Sequence, residues 1–84
     1  MTKVHITNAL ERLPKNVSER DDFAQALKVT EGVVSDQDIA DGMGYSVSTV
    51  SRWRQGVSAP HSALRSDILN FLRTRLESKQ HEVV

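Results

Sequence analysis

The chain has 84 residues, no cysteine and a formal net charge of zero. Its length allows one small domain, and the absence of cysteine excludes disulfide bonds and thiolate metal sites. Because the chain has neither a signal-peptide pattern nor an apolar run long enough to cross a membrane, we expect a cytoplasmic protein without a membrane partner.

Helical patterns dominate the chain, beginning with a short one near the N-terminus. The segment Thr7 to Leu13 places Leu10 and Leu13 on one side of a predicted helix, which Pro14 ends. We therefore predict that residues 1–17 form an N-terminal extension with one short helix, ahead of the main domain at residues 18–78.

The second predicted helix begins at Ser18. This residue has the side chain of an N-cap, and three acidic residues follow it in the first turn, where the helix dipole favours negative charge. The helix extends to about Thr30, and Gly32 ends it. Its apolar stripe consists of Phe23, Ala24 and Leu27.

Two short helices follow, with Gly44 between them. Ser35 and Asp38 have the spacing of a capping box at the start of the first helix. Ser46 is the predicted N-cap of the second helix, which ends at about Gln55. The apolar face of the first helix consists of Ile39, Ala40 and Met43.

The longest predicted helix runs from Pro60, a residue tolerated in a first helical turn, to about Ser78. Residues 79–84 are predicted to be a frayed tail. Since β-branched alternation is nearly absent, we predict an all-α fold: a compact domain of four to five helices with a long C-terminal helix.

The residue spacing around Gly44 is typical of a helix-turn-helix. In a twenty-residue window from residue 36, Ala40 is at position five, where crossing helices need close backbones. Gly44 is at position nine, where a tight turn needs positive φ. Val50 and Trp53 occupy positions fifteen and eighteen, on the side predicted to be buried. We expect Trp53 to pack in the core and Tyr45 to cover the helix junction.

The opposite side of the second short helix is polar and has no acidic residue. At 100° per residue it carries Ser48, Ser51, Arg52 and Gln55, with Val47 at the exposed N-terminal end. Short side chains let a helix approach base edges in a DNA major groove, and arginine donates two hydrogen bonds to guanine. The alternative interpretation is an ordinary polar helix face.

The segment SDQDIADGMGYSVSTVSRWRQGVSAP, residues 35–60, resembles the helix-turn-helix of the phage-repressor and Cro type, the lambda-repressor-like family. The resemblance covers about Phe23 to Leu72. It implies a bacterial or phage-encoded, nucleoid-associated protein that binds a palindromic operator as a dimer. By position it assigns base reading to Val47, Ser48 and Arg52, and DNA-backbone contacts to Ser46 and Gln55.

The chain departs from that family at Asp36, where glutamine commonly donates to a phosphate, so Gln37 is expected to take this role. Gly42 is a second departure, since glycine inside a helix costs about 1 kcal/mol relative to alanine. Arg54 and Arg65 are expected either to extend the phosphate contacts or to be solvated. The predicted base-reading residues are Val47, Ser48, Ser51 and Arg52, and the predicted backbone contacts are Gln37, Ser46, Arg54 and Gln55.

Charge is segregated along the chain. Residues 16–45 include seven acidic and two basic residues, a net charge of −5, whereas residues 46–75 include five basic and one acidic, a net charge of +4. A basic surface favours nucleic acid. The acidic segment is expected to be a solvated face, with contact to a basic partner as the alternative.

The C-terminal helix has an i, i+4 stripe formed by Leu64, Ile68, Leu72 and Leu76. A small domain has little surface with which to cover such a stripe, so we predict a homodimer through this helix. The alternative is that the stripe only covers the domain's own core.

No catalytic or cofactor site is predicted. His5, His61 and His81 have no metal ligand at suitable spacing, and no nucleophile lies beside an oriented base. We therefore expect no enzymatic activity, no metal, no cofactor and no small-molecule ligand.

The predicted function is sequence-specific binding of double-stranded DNA by a homodimeric transcription regulator. Repression is favoured over activation, because occupying a promoter requires no additional protein surface. The alternative is a protein-interaction module, such as an antitoxin or adaptor, that uses the acidic face of the same scaffold.

Overall fold

Five α-helices make up the structure, a computed structural model that describes residues 2–82 and the side chains of residues 6–80. In chain order they are α1 (Thr2–Arg12), α2 (Arg20–Val29), α3 (Asp36–Met43), α4 (Val47–Gln55) and α5 (Ser62–Glu82). No strand occurs within these described residues. The predicted all-α class, helix count and long C-terminal helix are confirmed.

The N-terminal helix α1 is longer than predicted and belongs to the core. It begins at Thr2 instead of Thr7 and packs mainly on α5. Ile6, Ala9 and Leu13 are buried, and their i, i+3, i+7 spacing is that of one helix face. Apart from Met1, which lies outside the described residues, the segment 1–17 is thus part of the domain and not an extension of it.

The N-cap of α2 is Glu19 and not the predicted Ser18. No side-chain hydrogen bond caps this helix. The hydroxyl of Ser18 instead donates to the Asn16 side-chain oxygen at 3.1 Å. At the other end, the helix ends near Thr30 as predicted, and Gly32 follows with a φ of +86°.

The segment before α2 is fixed by Arg65, which comes from α5. Its Nε donates to the Val17 carbonyl at 2.8 Å, and its two terminal nitrogens donate to the Pro60 and Ser18 carbonyls at 2.7 and 2.6 Å. The residue is 9% exposed. Both predicted roles for Arg65, phosphate contact and solvated surface, are wrong, because its fork of donors satisfies three backbone carbonyls.

Helix α5 uses its apolar stripe inside the chain. Ile68, Leu72 and Leu76 are 0% exposed and Leu64 is partly buried. Three of the four residues of the predicted dimer interface are therefore covered within the chain, as the alternative interpretation expects, while Leu64 keeps part of its surface exposed. Whether two chains associate by another surface stays a prediction.

The C-terminal end of α5 is helical beyond the predicted limit at Ser78. The Gln80 amide donates to the Thr7 hydroxyl at 3.1 Å and so connects the end of α5 with α1. Residues 79–82 are thus helical and not a frayed tail, and residues 83–84 lie outside the described residues. None of the described helices, α5 included, has the length and apolar character needed to span a bilayer.

One core connects the five helices and contains Trp53, as predicted. The indole is 5% exposed, and its ring centroid lies 6.0 Å from that of Phe23 in a T-shaped arrangement. The core also contains residues with no exposed surface, among them Leu27, Ile39, Val50, Ile68 and Leu72. Within this core, α4 packs on α2, and α3 packs on α5.

Gly42 has a steric role inside α3. A Cβ atom at this position would overlap the ring of Phe71, which extends from α5. The Phe71 ring therefore occupies the space that a side chain at position 42 would need, which explains why a residue of low helix propensity is placed there.

Candidate nucleic-acid interface

The candidate site is built on a tight turn between α3 and α4. Gly44 adopts φ +79° and ψ 32°, a left-handed conformation that glycine reaches without steric cost. The backbone amides of Gly44 and Tyr45 both donate to the Ala40 carbonyl at 2.9 Å. The predicted turn at Gly44 is confirmed, and it fixes the direction in which α4 leaves α3.

Both helices of the pair begin at the predicted serine caps. Ser35 accepts from the Asp38 amide at 3.0 Å, and Asp38 accepts from the Ser35 amide at 3.3 Å, which completes the capping box. Ser46 accepts from the Thr49 amide at 3.2 Å and shares a hydrogen bond with the Thr49 hydroxyl at 2.8 Å. These local bonds fix the residues at which α3 and α4 begin.

Helix α4 presents two chemically different sides. Val50 and Trp53 are buried at 0% and 5% exposure. Val47, 40% exposed, lies at the start of the other side. Of the remaining predicted base-reading residues, Ser48 and Arg52 are exposed and Ser51 is half-buried. All four predicted base-reading side chains therefore reach solvent on one side of one helix.

Arg52 is the exposed cation of that side. No ion pair or side-chain hydrogen bond joins it to another described residue. One turn further along, the Gln55 amide donates to the Ser51 hydroxyl at 3.1 Å. This bond orders the two neutral side chains beside Arg52 and leaves the guanidinium free to meet a ligand.

Tyr45 covers the junction of α3 and α4, as predicted. Its ring packs edge-on against Trp53 with centroids 5.1 Å apart, and the residue is 37% exposed. The ring thereby shields the indole from solvent beside the N-terminus of α4.

The predicted backbone contacts differ in their surroundings. Gln37, Ser46 and Gln55 are exposed, and the Gln37 amide donates to the Asp41 carboxylate at 2.7 Å. Arg54 is turned inward instead. Its terminal nitrogen donates to the Val34 carbonyl at 3.0 Å, and its side chain is only 12% exposed. The guanidinium is therefore not free for the predicted phosphate contact.

The partner of Arg54 is Asp36, the residue that departs from the resembled family. Arg54 Nε lies 3.2 Å from Asp36 Oδ1. The two atoms are shielded from solvent but lack the alignment of a hydrogen bond, so the contact is an ion pair. The pair offsets the negative charge that Asp36 would otherwise present at the start of α3.

These contacts reduce the positive charge that the sequence suggests for this region. Arg54 and Arg65 are turned inward. Arg75 Nη2 lies 3.9 Å from Asp38 Oδ1, and Arg75 Cζ lies 6.0 Å from the centroid of the Phe71 ring. Arg52 remains as the exposed cation of α4. The electrostatic attraction of this surface for an anion is therefore weaker than a net charge of +4 implies.

One exposed cation beside this surface was not predicted. Lys28 of α2 contributes to a shallow cleft against α4. The residues that line the cleft are Lys28, Glu31, Asp36, Ser51, Arg54 and Gln55. Since α2 lies in the acidic part of the sequence, local charge did not single out Lys28, and only the packing of α2 on α4 brings it to this edge.

The described side chains contain no cluster of His, Asp and Glu that could hold a metal ion. The side chains of His5 and His81 lie outside the described range, and His61 is exposed. Comparison of the chain with models of known protein families, with curated proteins and with solved structures finds no significant match.

Proposed function

We propose that the protein binds double-stranded DNA in a sequence-specific way and acts as a transcription regulator of the phage-repressor and Cro type. The observation that carries the proposal is the division of α4: Val50 and Trp53 are buried, while the predicted base-reading side chains face solvent. In this proposal α4 enters the major groove, which is wide enough to admit a helix.

The outer side of α4 is the side that carries Ser48, Ser51, Arg52 and Gln55. Each of these polar side chains has chemistry that suits a base edge or a phosphate. Arg52 has the fork of donors that matches O6 and N7 of guanine. Ser48 and Ser51 are short and both donate and accept hydrogen bonds. Gln55, ordered by its bond to Ser51, and Gln37 carry amide donors suited to phosphate oxygens. No acidic residue lies on the outer side of α4.

The protein is proposed to act as a homodimer on a palindromic operator, with repression as its regulatory effect. Because one copy presents few free cations, a second copy would double both the phosphate contacts and the base contacts. Two α4 helices related by two-fold symmetry would then enter successive major grooves about 34 Å apart. The dimer surface must lie outside the buried stripe of α5.

Selection of bound duplexes from a random pool tests this proposal. We expect recovery of a palindrome whose half-sites are about one helical turn apart. The logarithm of the binding constant should fall linearly with the logarithm of the salt concentration. Each phosphate contact adds about 0.9 to that slope. Failure to enrich any duplex at low salt would contradict the proposal.

A second candidate is a protein-interaction module that uses the acidic face of α2. Its support is that Glu19, Asp21 and Asp22 are exposed, while Arg54 and Arg65 are withdrawn from the surface. This candidate would be favoured if the protein binds no duplex at low salt but does bind a basic protein. Charge reversal of Asp21 and Asp22 should then abolish that association and leave the fold intact.

A further inference from the structure

Val47 is an exposed apolar side chain at the N-terminal end of the proposed DNA-binding surface. It is the first residue of α4 and is 40% exposed. Single exposed apolar residues are common on protein surfaces. The position of this one is informative, because it lies at the end of α4 that would approach the base edges first.

The neighbours of Val47 leave its side chain free to make a contact. Ser46 turns its hydroxyl back to Thr49 at the helix cap. Ser48, on the other side, is exposed and short. A close approach of the backbone to DNA is therefore open at this point. The branched valine side chain also has one strongly preferred rotamer in a helix, so it presents a fixed shape.

The chemistry of the side chain limits what it can recognise. An isopropyl group neither donates nor accepts a hydrogen bond, so it does not distinguish the polar groups of base edges. The apolar group that a base pair displays in the major groove is the C5-methyl of thymine. Cytosine carries the same group only when C5 is methylated.

We propose that Val47 reads the C5-methyl group of a pyrimidine, thymine or 5-methylcytosine, in each operator half-site. This inference rests on the proposed DNA-binding function and adds the chemical group that one residue recognises. Burial of that methyl against Val47 removes apolar surface of both partners from water, which favours the methylated base.

The test uses a duplex recovered by selection and replaces each thymine in turn with deoxyuridine, which removes the methyl and preserves base pairing. At one position per half-site the wild-type protein should bind about fourfold more weakly, the effect of about one buried methyl group. With Val47→Ala the ratio of thymine to deoxyuridine affinity at that position should fall to about one. A cytosine at the same position should bind more tightly when it is 5-methylated.

Val57→Ala is the matched control, because Val57 is 65% exposed and lies beyond the end of α4. This variant should retain the wild-type discrimination against deoxyuridine. Since Val47 is outside the core, Val47→Ala should also keep the wild-type helical content and unfolding midpoint.

The outcomes separate the two proposals. If a duplex is recovered but no deoxyuridine weakens binding, or Val47→Ala keeps the full discrimination, the role of Val47 is wrong and DNA binding stands. If no duplex is recovered, both proposals are overturned. Discrimination that is lost in Val47→Ala and kept in Val57→Ala establishes the methyl contact.

Discussion

The side chains of Asp36 and Arg54 form an ion pair that joins the start of α3 to the last turn of α4, with Oδ1 and Nε 3.2 Å apart. Arg54 also reaches the Val34 carbonyl ahead of α3. The contact fixes the relative position of the two helices at the edge where α4 would meet DNA. It also neutralises a carboxylate that would otherwise repel phosphate.

The effects of removing Asp36 and Arg54 on the free energy of unfolding should not be additive. Asp36→Asn or Arg54→Ala leaves one polar group partly buried without its partner, so each should destabilise by about 1–3 kcal/mol. The double variant should be less destabilised than the sum by about 1 kcal/mol. Urea unfolding of the wild type, the two single variants and the double variant measures this coupling. Strictly additive losses would show that the pair contributes no coupling energy.

Arg65→Ala should destabilise the protein more than alanine substitution of Arg12, Arg52 or Arg54. It leaves the carbonyls of Val17, Ser18 and Pro60 without their donor, and we expect a loss of about 2–4 kcal/mol. Arg65→Lys should not restore stability, because a single ammonium does not reproduce the planar fork. Urea unfolding provides the measurement, with Arg12→Ala as the control at an exposed position. Equal stability of Arg65→Lys and wild type would contradict the role of the fork.

The effect of Gly42→Ala on stability should be opposite in sign in two backgrounds, one with Phe71 and one with alanine at position 71. In the wild-type chain the new methyl overlaps the Phe71 ring, and displacement of that ring should cost about 1–3 kcal/mol, more than the helix-propensity gain. In a Phe71→Ala background the overlap is absent, and the same change should stabilise by about 1 kcal/mol. Thermal unfolding of the four proteins reveals the sign. A stabilising effect in both backgrounds would rule out the steric explanation.

Arg52→Ala should weaken binding to a selected operator by about 1–3 kcal/mol and relax preference at one base pair per half-site. The reason is that Arg52 is exposed and has no ion-pair partner among the described residues. Arg12→Ala removes the same side chain from α1, which does not contact α4, and should bind as the wild type does. Titration against operator variants measures both effects. Uniform weakening across all variants would reassign Arg52 to a phosphate.

The features that the sequence predicted correctly are those encoded locally. The caps at Ser35 and Ser46 and the turn at Gly44 depend on bonds within a few residues. The burial of Val50 and Trp53 depends on helical periodicity. Such features appear as short-range patterns, so the helix-turn-helix and the exposed side of α4 could be derived before the structure.

The features that the sequence did not predict depend on contacts between distant segments. Arg54 and Val34 are 20 residues apart, and Arg65 and Val17 are 48 apart. An arginine that satisfies buried carbonyls has the same sequence signature as one in solvent, so the sequence pattern predicts a surface position for both. The sequence left the burial of the α5 stripe open for a related reason, since the contribution of α1 to the core is evident only from its packing on α5.

The position of Trp53 makes it an intrinsic fluorescence probe of the protein. It is the single tryptophan of the chain and lies beneath Tyr45, directly behind the outer side of α4. Loss of the fold would expose the indole to water and shift its emission to longer wavelength. A ligand that displaces the Tyr45 ring should alter the same signal in the folded protein. Unfolding and occupancy of this surface can therefore be followed by fluorescence without attaching a label.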